Sequence, residues 1–102
     1  VTLHGDVKEH YSEKEGYYFL QTDPVNEKPC WSNEGGTAIW YHKEHGYCWW
    51  IGAKEDLGGS PSSEIFSPDD VEDPLQALTW KYHNGNDWIK SKDILVTRPG
   101  NI

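Results

Sequence analysis

Few residues of this chain could do chemistry, and their spacing does not suit catalysis. Candidate nucleophiles, bases and ligands are Cys30 and Cys48, the histidines His4, His10, His42, His45 and His83, and the loop serines Ser60, Ser62 and Ser63. Thiol catalysis needs an activated thiolate, whereas two cysteines in a small acidic chain read as a structural pair or as buried thiols. The serines lack the strand-turn-helix frame of a nucleophile elbow. No glycine-rich loop opens a helix to cradle phosphate, and carboxylates are so numerous that no one pair stands out as an acid–base couple. His42 and His45 lie three apart across a turn without the second Cys or His pair of a zinc site, and read as surface turn residues. Asp69, Asp70, Glu72 and Asp73 fall within five positions. Hard oxygen ligands at that density suit Ca²⁺, but EF-hand spacing is missing and acidic runs are ordinarily solvated. Asp69 equally suits the cap of a helical turn. The expectation is a chain that is not an enzyme and holds no cofactor, with Ca²⁺ the cation its acidic run would suit.

The aromatic residues suggest another chemistry. Six Trp, six Tyr and two Phe make up 14% of the chain, and rings of this size dominate cores and interfaces alike. In "GYCWWIG" (46–52) two tryptophans adjoin within a strand pattern. Successive strand residues point to opposite faces, which puts Tyr47, Trp49 and Ile51 on one face and Cys48 and Trp50 on the other. On the neighbouring "TAIWYH" segment, Ile39 and Tyr41 share one face and Ala38 and Trp40 the other. Either both faces are covered, or one presents Trp40 and Trp50, with Trp31, as an open platform. Exposed aromatic surface marks a binding site, on which sugar rings or an extended partner chain would stack. Asn86 and Asp87 are the nearest sequence candidates for directed hydrogen bonds.

Those rings need a frame, and the sequence points to strands. With 102 residues the chain is one domain by the usual prior. Apolar positions alternate or come in short runs punctuated by turn residues, which is an all-β signature. "YYFLQT", "PCWSN", "TAIWYH" and "YCWWIG" read as successive strands of an antiparallel meander. "EIFS" is a further short strand, "LTWKYH" and "DWIKS" flank an Asn84-Gly85 hairpin turn, and "DILVT" closes the pattern. The predicted fold is a small antiparallel meander closing into a barrel or sandwich, with one helical turn near 69–76. Residues 1–15 read as a polar arm or edge strand, 16–98 as the domain and 99–102 as a tail. A Cys30–Cys48 disulfide would contribute on the order of 3 kcal/mol. Yet strands flanking "TAIWYH" lie roughly 9–10 Å apart, beyond the about 7 Å a disulfide spans. The bridge therefore requires the middle strand to end early, the sheet to curl, or its neighbours to pair directly.

Seventeen acidic against nine basic residues give a formal net charge of −8. Counterion release from nucleic acid needs clustered Lys and Arg, so nucleic-acid partners and anionic membrane surfaces are not expected. No stretch reaches the about 20 apolar residues of a membrane span and no signal peptide is visible. The chain opens at Val1 as a mature or excised fragment would. The segments "KPCWSNEGGTAIWYH", "CWWIGAKEDLGG" and "DPLQALTWKYHNGNDWIKSKDILV" together resemble a short aromatic-rich β repeat of large multidomain extracellular proteins in algae, other protists and marine invertebrates. The resemblance runs from Tyr17 to Val96 and rests on the Pro29–Trp31 step, "IWYH", "WWIG", Gly58-Gly59, the Trp80 strand and "NGNDW". It implies an extracellular or cell-surface module for adhesion or assembly, and no catalytic residues. The expected function is a lectin-like recognition module binding carbohydrate through exposed Trp and Tyr. The alternative is a structural subunit of an extracellular filament or coat, self-assembling through its aromatic face and N-terminal arm. Its partner would accordingly be a carbohydrate or another protein chain, a second copy included.

Overall fold

Short runs of β-branched and aromatic residues between turn residues do fold as strands. The computed structural model describes residues 1–4, 16–44, 46–59, 65–83, 88–91 and 94–97. Among them are β1 (Thr2–His4), β2 (Gly16–Tyr17), β3 (Phe19–Leu20), β4 (Trp31–Ser32), β5 (Thr37–Glu44) and β6 (Tyr47–Ala53). They are followed by β7 (Ile65–Ser67), β8 (Lys81–His83), β9 (Trp88–Lys90) and β10 (Leu95–Thr97), with single 3₁₀ turns at Lys54–Asp56 and Pro74–Gln76. Every strand pairing is antiparallel. β3 to β9 form a seven-stranded meander in sequence order, and β10, β1 and β2 a three-stranded sheet in that spatial order. The sheets do not close, so the architecture is an open, sandwich-like meander and not a barrel. Thr2–His4 is the middle strand of the small sheet, not an edge. The remainder of the N-terminal segment expected as an arm, and the 99–102 tail, lie outside the described residues.

β2 and β3 are halves of one extended stretch that changes sheets at Tyr18. The Tyr18 amide donates to the Val1 carbonyl at 2.7 Å, and its carbonyl accepts from the Val1 ammonium at 3.0 Å. Three residues on, the Gln21 amide donates to the Cys30 carbonyl at 2.9 Å. Bonding groups of successive strand residues point to opposite sides, so Tyr18 and Gln21, an odd number apart, face opposite edges, and the stretch joins β1 with its first half and β4 with its second.

Both faces of the large sheet carry a buried apolar cluster. The inner core holds Tyr18, Trp31, Ile39, Trp49, Ile51, Ile65, Trp80 and Val96, with Val1, Cys48, Ala77 and Ile94. On the outer face Cys30, Ala38, Trp40, Trp50 and Phe66 form a second cluster, with Val25 and Tyr47 packed on it. Alternation places Ile39 and Tyr41 inside and Ala38 and Trp40 outside, as the sequence pattern predicts. It fails at Tyr47 and Cys48. The Tyr47 ring lies 3.8 Å from that of Phe66 and 6.1 Å from Trp50 on the outer side, while Cys48 belongs to the inner core. The cause is a β-bulge: Tyr41 pairs with Trp49 and Glu44 with Tyr47, so His42 and Lys43 together face Cys48 and the side-chain phase slips by one.

The expected disulfide is absent. Cys30 and Cys48 are both free and buried, in clusters on opposite faces, and β5 runs unbroken between their strands to Glu44. Burial pushes both thiols up, aided at Cys30 by Asp23 and at Cys48 by Asp70 and Asp69.

The acidic run forms a strap across the inner core. The helical turn is present, at Pro74–Gln76, but its cap is Asp73, which accepts from the Leu75 amide at 2.9 Å. Asp69 instead accepts from the amides of Leu78 and Thr79 at 2.8 and 2.9 Å. Asp70 accepts from the Tyr41 hydroxyl at 2.8 Å and from the Lys43 ammonium at 3.0 Å. Lys43 and Tyr41 hold the Asp70 carboxyl below its ordinary value, while Asp70 and burial push Tyr41 up to about 12. A raised folded-state value contributes stability that is full below the unfolded value and lost as pH rises through the folded one. Stability should thus fall between pH about 10 and about 12. Asp70, being depressed, contributes above the ordinary carboxylate range and loses that contribution in acid. Urea midpoints against pH should show a shallower alkaline limb for Tyr41→Phe. Lys43, which Asp70 also holds up, remains in both proteins, so the comparison isolates the phenol.

Candidate binding site

The predicted tryptophan platform does not form. Trp40 is 0% exposed, Trp50 7% and Trp31 8%, and Trp31 lies on the inner face, 6.4 Å from the Trp49 ring. Each buried indole N–H needs an acceptor, and four find one on a backbone carbonyl. Trp40 donates to Gly59 at 2.9 Å, Trp49 to Val71 at 2.9 Å, Trp50 to His42 at 2.6 Å and Trp80 to Ala77 at 3.2 Å. Trp40 and Trp49 therefore fasten loops to the sheet, while Trp50 ties β6 to the bulge of β5. Asn86 and Asp87 lie outside the described residues, as do His10, His45, Ser60, Ser62 and Ser63. His42 contacts Glu44 at 2.9 Å. The carboxylates considered for Ca²⁺ are engaged separately: Asp69 and Asp73 by backbone amides, Asp70 by Tyr41 and Lys43, and Glu72 by Lys28 at 3.4 Å. Among the described residues no group of three or more His, Cys, Asp or Glu could hold a metal ion, and no helix is long and apolar enough to cross a membrane.

Exposed rings occur elsewhere, on the sheet-switching strand. Tyr17 is 48% exposed and Phe19 51%, and their rings meet edge to face with centroids 4.8 Å apart. Because Tyr18 is turned into the inner core, alternation puts Tyr17, Phe19 and Gln21 in a row on the outer face. Register agrees, since Phe19 pairs with Ser32 and Ser32 with Ala38 of the outer cluster. Leu20, across from Trp31, points the other way and does not belong to the row.

At its far end the row opens into a cleft of about 320 Å³ lined by Gln21, Thr22, Asp23, Val25, Cys30 and Leu57. Two short segments shape it. In the first, Val25 and Lys28 pair through a two-residue turn, with Asn26 at φ 53° and Glu27 at φ 70°. Both φ values are positive, as a type I′ turn demands. Asn26 suits that conformation and is tied down, its amide donating to the Tyr41 carbonyl at 2.6 Å and the Gly58 carbonyl at 3.3 Å. Glu27 bears the steric cost of a left-handed residue. Glu27→Gly is expected to raise stability by about 0.5–1 kcal/mol, strain relief outweighing the added freedom of the unfolded chain, read as a higher urea midpoint. The second segment, Lys54–Gly59, carries Leu57 and is held by the Trp40 indole, Asn26 and the Lys54 amide, which donates to the Gly36 carbonyl at 2.7 Å.

The cleft offers apolar walls from Val25 and Leu57, an amide, a hydroxyl and a carboxylate. Cys30 beneath it is 1% exposed, its sulfur 3.4 Å from the Asp23 carbonyl, and burial keeps it a thiol. Such a set suits stacking and directed hydrogen bonds. The signal for Tyr17 and Phe19 was the run "YYFL": four large apolar residues in one strand cannot all enter a single core, so two must face outward. No family model, curated protein or solved structure matches this chain.

Proposed function

We propose that this chain is a non-enzymatic recognition module of lectin type that binds carbohydrate on its outer face. One observation carries the reading: half-exposed Tyr17 and Phe19 run into a cleft whose rim supplies Gln21, Thr22 and Asp23. Aromatic rings suit the apolar faces of sugars, and a mostly apolar concavity with a few placed polar groups is the usual form of a small-ligand site. The cleft, at about 320 Å³, is at the small end of the roughly 300–1,000 Å³ of such sites, enough for one sugar ring with neighbours lying along the row. Affinity would rise by multivalency where several copies act together. An extracellular or cell-surface location goes with this reading. The alternative is a self-assembling subunit of an extracellular filament or coat, joined through its aromatic face and N-terminal arm; the burial of Trp40 and Trp50 takes the same rings from both readings.

A glycan-array screen of the domain beside a Tyr17→Ser/Phe19→Ser variant, with light scattering, tests the proposal. Selective binding by a monomer, lost in a variant that keeps its near-ultraviolet spectrum, is the expected result. Assembly of the protein into large species without glycan binding would favour the structural subunit.

A further inference from the structure

The charge around the cleft narrows the class of glycan, given the lectin reading. We infer that the ligand is a cationic glycan, one carrying free amino groups on its sugar rings. Asp23 lines the cleft, is exposed, and its carboxylate makes no ion pair or hydrogen bond among the described residues. Glu27 sits in the adjoining turn, and Glu55 and Asp56 directly precede Leu57; all three are exposed. The cations of the same two segments are Lys28 and Lys54. Lys28 is drawn away, its ammonium 3.4 Å from Glu72 and 4.8 Å from the centre of the Tyr41 ring. Asp23 is thus the charged residue that lines the cleft, three more carboxylates lie on the two segments that shape it, and among the described residues Lys54 is the cation left unpaired there; a concave site lined by one sign of charge concentrates counter-ions. An ammonium group against Asp23 would form a charge-assisted hydrogen bond while the ring's apolar face lies against Leu57 or Phe19. Anionic glycans are disfavoured by the same field, and neutral ones gain nothing from it.

Calorimetric titrations with a glucosamine oligomer, its fully N-acetylated counterpart, a neutral glucose oligomer and a lysine peptide of matched charge test the inference. The glucosamine oligomer should bind at least roughly tenfold more tightly than its acetylated form. Asp23→Asn should remove about that factor, as should raising the salt from about 0.05 M to about 0.5 M. Phe19→Ser, an exposed change, should weaken every glycan without affecting the charge preference. Equal binding of the amine and acetylated oligomers, untouched by Asp23→Asn, would overturn the inference and leave the lectin reading standing. Binding of the lysine peptide as tight as that of the glucosamine oligomer would overturn it too, since charge alone would then be read. If no oligosaccharide binds, the lectin reading itself fails.

Discussion

Trp49→Ala is expected to cost about 3–5 kcal/mol, the range for removing a large buried aromatic. Against the roughly 5–15 kcal/mol that holds a domain of this kind together, the variant should be largely unfolded at modest urea. Trp49 is 0% exposed and packs between Trp31, 6.4 Å away, and Tyr41, which meets it edge to face at 5.5 Å. Alanine would leave a cavity among side chains fixed on three strands, which can close only partly, and would strand the Val71 carbonyl that its indole satisfies. Trp49→Phe keeps most of the ring and loses the hydrogen bond, so its loss should be distinctly smaller. Equilibrium urea unfolding followed by far-ultraviolet circular dichroism gives both values. An alanine variant within about 1 kcal/mol of the parent, below the range for such deletions, would mean that the inner core is not packed as described.

Asp69→Ala should be the most damaging single change outside the apolar core, at about 2–3 kcal/mol, from the loss of hydrogen bonds to a charged acceptor. One carboxylate oxygen accepts from both the Leu78 and Thr79 amides and so holds the end of the strap where it re-enters the sheet before β8. Asp69 also sits opposite its own strand's end, its amide donating to the Ser67 hydroxyl at 3.1 Å. Asp69→Asn retains a carbonyl acceptor and should recover part of the loss. Asp70→Ala, whose exposed carboxylate bonds only side chains, should cost less than Asp69→Ala, because surface ion pairs are weak. The order of the three unfolding midpoints is the measurement: Asp70→Ala highest, then Asp69→Asn, then Asp69→Ala. Equal midpoints for the two alanine variants would show that the backbone contacts of Asp69 add nothing.

The strand pattern was largely legible because alternation is a local property. It assigned the faces of Ile39, Tyr41, Ala38 and Trp40, and the acidic run bracketed by Pro68 and Pro74 located the helical turn. It misassigned Tyr47 and Cys48 because a bulge is set by pairing across to β5, which no single segment encodes. The same long-range geometry decided the cysteines. Their separation across an unbroken β5 was the difficulty the sequence raised, and the bonded alternative needed β5 to be shorter than it is. The site was the least legible. Trp40 and Trp50 were obvious candidates as exposed rings, but whether a strand face is open depends on where Lys54–Gly59 and the Val25–Lys28 turn come to rest. Those segments are rich in Gly, Asn and charge, with no apolar pattern to announce that they cover anything. Tyr17 and Phe19 were passed over because an ordinary strand run hides which of its rings the core has room for.

The indole bonds have a spectroscopic consequence. Each anchors a different place: Trp40 of β5 holds the cleft wall at Gly59, Trp49 of β6 the strap at Val71, Trp50 of β6 the bulge of β5 at His42, and Trp80, just before β8, the turn at Ala77. In a proton–nitrogen correlation spectrum the indole N–H signals lie apart from the amide region, and hydrogen exchange at each is set by the opening of the segment that carries its acceptor. Four assigned peaks would therefore follow four separate local openings within one small domain. A ligand seated against Leu57 should slow exchange at Trp40 and leave Trp80 unchanged.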